Sequence, residues 1–247
     1  MPWVIAVCVV VVAIVAVSQM ARGRTRQRDL MLLCRHAGLR FDPLDRFPDT
    51  MWLPFRWLGE ERWLQTENVV WLDHDPDGVR AFDLSTERRP EAHDGQPTRH
   101  RYTCAAVPLP FGCPRLEIRP RDPLDAVAGA IAGDEVRLEL EAFNRRFHVS
   151  APDPRFVVAF CSPQMMQAML GLPDGVTIAV NEDRMLLRAD ELPAARVLLL
   201  FEAARALRDD VPSVVASLYP PRPMKGRHED RWLQGHWSED PIGEAEA

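Results

Sequence analysis

Two arginines and a histidine crowd the stretch Phe143-Asn144-Arg145-Arg146-Phe147-His148-Val149. Guanidinium forks and an imidazole are the side chains that grip phosphates and carboxylates. Drawn as an extended strand, the stretch puts Arg145 and Phe147 on one face and Asn144, Arg146 and His148 on the other. That polar face makes Arg145, Arg146 and His148 the candidate ligand-binding residues, for an anionic ligand or a lipid headgroup. The competing reading spends the same arginines on salt bridges to Glu139, Glu141 and Asp153.

Two other stretches invite a chemical reading. Cys161 stands just before a helix beginning near Ser162, a placement that lowers a thiol pKa, and with His148 it would make an unfamiliar hydrolase or thiol enzyme. A cysteine between Phe160 and an apolar helix is otherwise buried and inert. Asp73-His74-Asp75-Pro76-Asp77-Gly78 has the alternating carboxylates of half a calcium loop, but the twelfth position, which needs a bidentate Glu, is Leu84, so a hairpin tip is expected. The chain contains no G-x-S-x-G elbow, H-E-x-x-H pair, Gly-rich phosphate loop or C-x-x-C pair. No catalytic residue, metal or cofactor is therefore expected, and the protein reads as a non-enzyme.

The elements that must position these residues are legible by period and punctuation. Leu30, Leu33, Cys34 and Ala37 recur at helical spacing and stop at Gly38. The Pro- and aromatic-rich segment from Asp42 to Trp63 is expected to lie over the core or the membrane. A hairpin follows, Val69 to Leu72 and Val79 to Leu84 around Asp75 to Gly78. Strands are read at Arg101–Val107 and Leu116–Arg119, and a helix from Asp122. Asp153 and Ser162 are N-caps, each followed by proline at the first helical position. Gly175–Val180 and Arg184–Arg188 read as a hairpin around Asn181 to Asp183. The last helix runs from about Leu192 to Arg208, with Val197, Leu200, Phe201, Ala204 and Leu207 inward. From Tyr219 the charged, proline-rich remainder reads as a disordered tail, with Trp232 and Trp237 as its docking candidates.

All of this hangs on the first twenty residues. Trp3 to Val17 carries no charge, and with Ser18 to Met20 the run is just long enough to span a bilayer as a helix. Arg22, Arg24, Arg26 and Arg28 follow it and no basic side chain precedes it, so the positive flank stays in the cytoplasm and is placed to touch anionic headgroups. A cleaved signal peptide would carry its charge before the apolar core and end in small residues. The expected plan is a membrane anchor over 1–20, a basic juxtamembrane segment over 21–29, a cytoplasmic domain over 30–218 and a tail over 219–247. The N-terminus lies outside. The net charge of −6 argues against nucleic acid, whose phosphates select clustered basic residues. Of the five cysteines, Cys8 lies in the span, and the other four are expected as free thiols.

The stretch FNRRFHVSAPDPRFVVAF, followed by QMMQAML and preceded by ENVVW and VRAFDL, resembles a family of bacterial membrane-anchored proteins known as a domain of unknown function. Asn144, Arg145, Phe147, Val149, Asp153, Pro154, Arg155, Phe156, Met165 and Met166 carry the resemblance, which covers roughly Leu30 to Leu218. It implies domain boundaries and no site residues.

The expectation is an α+β protein: an N-terminal transmembrane helix, then one antiparallel sheet with helices packed on one face. Its partners would be the bilayer, through residues 1–20, and a protein. Function reads as an interaction or scaffold module at the cytoplasmic face of the membrane, with anionic-ligand or lipid-headgroup binding as the alternative.

Overall fold

The computed structural model describes residues 23–45, 53–55, 62–75, 78–88, 97–122 and 136–221. The apolar segment 1–20, the expected helix after Asp122, Trp52, Trp57 and the tail beyond 221 lie outside them. Among the described residues, no helix is long and apolar enough to cross a membrane.

Residues 23–37 form helix α1, which buries Leu30 and Cys34 one turn apart. Gly38, at φ +70°, closes it in the left-handed region, and the Leu39 N–H returns to the Cys34 carbonyl at 2.8 Å. The chain then enters β1 (Arg40–Leu44), an edge strand that runs into what reads in sequence as an irregular segment from Asp42. It pairs antiparallel with β2 (Arg62–Trp71), which runs back through β3 (Arg80–Arg88). The hairpin expected around Asp75 to Gly78 is present: Leu72 bridges Asp75, and the Gly78 N–H reaches the Asp75 carbonyl at 3.0 Å.

The backbone of the sheet is β4 (Thr98–Pro120), one strand of 23 residues where two short strands are expected. Along one edge it pairs with β3 over Thr98–Ala106 and then with β5 (Phe147–Ser150) over Glu117–Pro120; β6 (Thr177–Asp190) runs along the other edge. Pro108, Pro110 and Pro114 fall where β3 has ended and β5 has not begun. A missing N–H costs no ladder bond on an open edge, so prolines that look like a break are tolerated. On the β6 side the register jumps from Pro108↔Arg184 to Cys113↔Glu182. Glu182 takes φ +52°, yet β6 continues as a strand through the expected Asn181–Asp183 turn, and the extra residues lie on β4, which bulges between Pro108 and Leu116.

Five further helices follow: α2 (Glu141–Arg146), α3 (Pro154–Phe160), α4 (Pro163–Leu170), α5 (Ala194–Asp209) and α6 (Ser213–Leu218). The Asp153 carboxylate accepts from Arg155 N at 3.0 Å and Phe156 N at 3.4 Å, and Ser162 Oγ from Met165 N at 3.2 Å, so both expected caps form. Helices α1 to α6 cover one face of the sheet through Leu30, Phe143, Phe156, Met165, Phe201 and Val215, against Ala81, Ala105, Val107, Leu187 and Ala189. The α+β class with helices on one face of an antiparallel sheet is thus observed. The opposite face carries a smaller cluster in which Leu53 and Phe55 close over Val69, Phe82, Leu84, Cys104 and Leu186. The Asn181 side-chain N–H pins this cover through the Pro54 carbonyl at 3.1 Å.

The packed unit extends past its expected C-terminal limit. Tyr219, assigned by sequence to the tail, meets Phe156 edge-on at 5.0 Å and donates its hydroxyl to Asp153 at 2.8 Å. Its carbonyl accepts the Gly112 N–H from the β4 bulge at 3.2 Å, satisfying a backbone donor that no strand pairs. Burial first, then the bond to Asp153, pushes the Tyr219 phenol up to about 12. The same hydroxyl, followed by the two backbone N–H groups of the cap, holds Asp153 below the usual carboxylate range.

Candidate functional site

The three sequence candidates do not converge. The segment expected to be extended from Phe143 is helical up to Arg146, and only Phe147 to Ser150 is strand. The Asn144 amide explains the helix: it donates to the Leu138 carbonyl at 2.7 Å and accepts the Leu138 N–H at 3.0 Å, bonding like a strand neighbour while its own backbone turns. Arg121 reinforces the turn, its backbone N–H on the Arg146 carbonyl at 2.9 Å and its Nε on the Asn144 carbonyl at 2.9 Å.

Arg145 therefore projects into solvent, 70 % exposed, with Glu141 at 4.0 Å. Arg146 folds the other way and caps the C-terminal end of α4. It donates to the Leu170 carbonyl, to the Leu172 carbonyl at 2.5 Å and to Asp174 at 3.2 Å, and its guanidinium lies over the Phe147 ring at 5.2 Å. It supplies donors to carbonyls that a helix end leaves without partners. His148 is half-buried on β5, opposite Arg119. Phe147 and Val149 join the core under the helices, so alternation turns His148 to the other face of the sheet.

The same alternation separates His148 from Cys161, which lies in the helix-side core. Burial pushes the Cys34 thiol up to about 11 and those of Cys104, Cys113 and Cys161 to about 12. At pH 8 the thiolate fraction of Cys161 is then about a thousandfold below that of a free cysteine. Iodoacetamide should label Cys161 in the native protein at a small fraction of its rate in denaturant, followed by peptide mapping. Labelling at the denatured rate would restore the thiol-enzyme reading. The acidic loop is equally committed: Asp73 pairs with Arg40 at 2.8 Å and Asp75 with Arg208 of α5 at 3.1 Å. A Cβ at Gly78 would lie 2.0 Å from the Asp75 carboxylate, so a side chain there would displace Asp75 from Arg208. No group of three metal-ligating side chains occurs among the described residues.

The most elaborate polar arrangement is one that sequence reasoning passed over. Asp83 sits in β3 between Phe82 and Leu84, on the helix side of the sheet, and is 1 % exposed. Arg26 of α1 grips it side-on, Nε to Oδ2 and Nη2 to Oδ1, both at 2.7 Å. Asn68 Nδ2 donates to Oδ2 at 2.8 Å, and Thr103, its cross-strand partner on β4, donates to Oδ1 at 3.3 Å. Asn68 reaches inward because it adopts φ +57° at a bulge in β2. Arg26 also donates to the Leu192 carbonyl, and Thr103 Oγ1 accepts the Leu192 N–H at 3.0 Å. Glu191 lies 3.5 Å from Arg26 and 3.7 Å from Arg101, which is paired in turn with Glu67. Burial draws the Arg26 guanidinium down, but the bond to Asp83 and the charges of Asp83, Glu191 and Glu67 carry it above its ordinary value.

A carboxylate holding four donors and closed to solvent is neither a base nor a nucleophile for an incoming substrate. What the arrangement does is join α1 to β2, β3, β4 and the β6–α5 connection at one point. Arg26, read in sequence as part of a headgroup-facing basic stretch, is part of the domain interior. The signal was present: a carboxylate at the inward position of an apolar strand requires a buried partner.

No family model matches the chain, and no curated protein matches it. Among solved structures it is similar to the crystal structure of the mycobacterial trehalose monomycolate transport factor A, TtfA. The identity is 14 % and the TM-score 0.50, over 81 % of this chain and 99 % of that one. At this identity the likeness is one of fold.

Proposed function

We propose that this chain is a non-catalytic accessory module, anchored through residues 1–20 with its folded domain at the cytoplasmic face, that serves a transport process at the membrane. The observation that carries the reading is the Arg26–Asp83 junction: the helix directly following the apolar segment is bonded into the domain instead of acting as a loose tether. A rigid joint suits a scaffold that must present one surface in a fixed orientation. The shared fold with TtfA supports transport by analogy, as does the resemblance to a membrane-anchored family. The reading is supported over an anion site by the divergence of Arg145, in solvent, from Arg146, which is engaged by the end of α4.

The test is co-purification of the tagged full-length chain from detergent-solubilised membranes, beside a chain lacking Met1 to Met20. The reading expects the full chain to resist alkaline extraction and to bring down an integral transport protein reproducibly. Complete release from membranes by alkali would overturn the anchor, and turnover of a substrate by the purified chain would overturn the non-catalytic assignment.

A further inference from the structure

We propose that the outward face of α1 is a docking surface for the acidic end of this same chain, residues 238–247; the proposal goes beyond the function proposed above and does not need the anchor. Arg26, Leu30 and Cys34 turn towards the sheet. At about 100° per residue, Arg24, Arg28, Met31, Leu32 and Arg35 then fall within an arc of roughly 100° on the opposite side of the helix. All five are exposed, Met31 at 51 % and Leu32 at 46 %. Asp29 stands at the flank of this face, and the His36 ring is turned back onto the Leu32 carbonyl at 2.7 Å. No described residue forms an ion pair or a side-chain hydrogen bond with Arg24, Arg28 or Arg35. Two exposed apolar side chains among three unspent guanidinium forks suit a ligand that is itself both acidic and apolar.

The chain supplies such a ligand. Residues 238–247 hold Glu239, Asp240, Glu244 and Glu246 with no basic side chain, and Trp237 and Ile242 give the run its apolar contacts. The described residues end at Pro221, and Tyr219 is fastened just before it to Asp153 and to the Gly112 N–H. The seventeen residues from Pro221 to Ser238 reach up to about 56 Å, against roughly 40 Å across a domain of this size, so the acidic run reaches α1 from that fixed point. Attachment at one end holds the run at an effective concentration in the millimolar range, which a contact built from exposed ion pairs, each weak alone, requires. The tail of a second molecule has no such advantage.

Arg28→Lys places an amine on this face in a chain whose single lysine is Lys225, so a cross-link is assigned by peptide mapping. The full chain is treated with a water-soluble carbodiimide, which joins an amine to a carboxylate it touches. One sample is in neutral detergent micelles and the other in vesicles containing about 30 mol % phosphatidylglycerol. Arg155→Lys is the comparison: it is exposed on α3 beside the Phe156–Tyr219 contact, where a tail with no seat of its own meets it at least as often. The expected result is a link from position 28 to residues 239–246 within one molecule, at least about fivefold above the yield from position 155, as three exposed ion pairs acting together provide. It should fall at least about twofold in about 0.5 M salt and in Arg24→Glu/Arg35→Glu. Should the double reversal lower the melting temperature, Arg24→Gln/Arg35→Gln replaces it. Equal yields at the two positions overturn the proposal. So do links formed only between molecules, which assign the face to a second copy, and links lost in the anionic vesicles, which assign it to the bilayer.

Discussion

Arg26→Ala should destabilise the domain by about 3–5 kcal/mol, the usual cost of stripping one partner from a buried ion pair. For a domain of this size that is a fall in melting temperature of roughly 10 °C, readable by calorimetry. The cost is high because Asp83, 1 % exposed, stays buried but loses two short charge-assisted bonds. Asn68 and Thr103 remain as donors, which holds the loss below that of a bare buried carboxylate. Arg26→Met combined with Asp83→Leu separates stability from specificity. A well-packed apolar pair regains most of the lost stability, since desolvation offsets much of what a buried pair gains. It does not regain the Arg26 bond to the Leu192 carbonyl, so α1 should sit less uniquely on the sheet. Little salt dependence is expected, because the pair is shielded from counterions.

Arg146→Ala should cost about 2–3 kcal/mol, whereas Arg145→Ala should change stability by less than about 0.5 kcal/mol. The residues are neighbours of one type, and the difference is geometric. Arg146 spans the Leu170 and Leu172 carbonyls and stacks on Phe147; Arg145 faces Glu141 at 4.0 Å in solvent. Arg146→Lys should recover only part of the loss, since a single ammonium cannot reproduce the planar fork across two carbonyls. Urea melts of the three variants decide the matter. Equal and negligible effects at both positions would mean that Arg146 is available to a ligand after all.

What the sequence makes legible here is local. Asp153 and Ser162 announce their helices because a cap and its proline lie within three residues of the bonds they make. Gly38 ends α1 for the same reason, and the 3.6-residue period from Val197 to Leu207 marks α5. The hairpin at Asp75 to Gly78 is likewise written in adjacent positions. Where local signals mislead, the competing term is tertiary. Pro108 and Pro110 look like a strand break but lie along an unpaired stretch of β4's edge. Asn181-Glu182-Asp183 looks like a turn but is continuous strand, held by the pairing of β6 along β4, whose bulge lies opposite it. The alternating pattern from Phe143 hides a helix whose deciding contact is the Asn144 amide on Leu138.

The candidate site was less legible than the fold. Residues chosen for their chemistry, Arg145, Arg146 and His148, are adjacent in sequence and diverge in space. The polar residues that do meet, Arg26, Asn68, Asp83 and Thr103, are separated along the chain, Arg26 by 57 positions and Asn68 by 15 from Asp83. No motif spacing encodes such a meeting. Only the rule that a buried charge needs a partner points to it, and that rule names Asp83 without naming Arg26.

The central claim is that the helix leading out of the apolar segment moves as one body with the domain. The direct measurement is the distance distribution between spin labels on Asp29→Cys in α1 and Ala195→Cys in α5, both exposed, in the full chain reconstituted in bilayers. The account predicts one narrow distribution that broadens in Arg26→Ala. A distribution already broad with Arg26 in place, and unaltered by its removal, would contradict it.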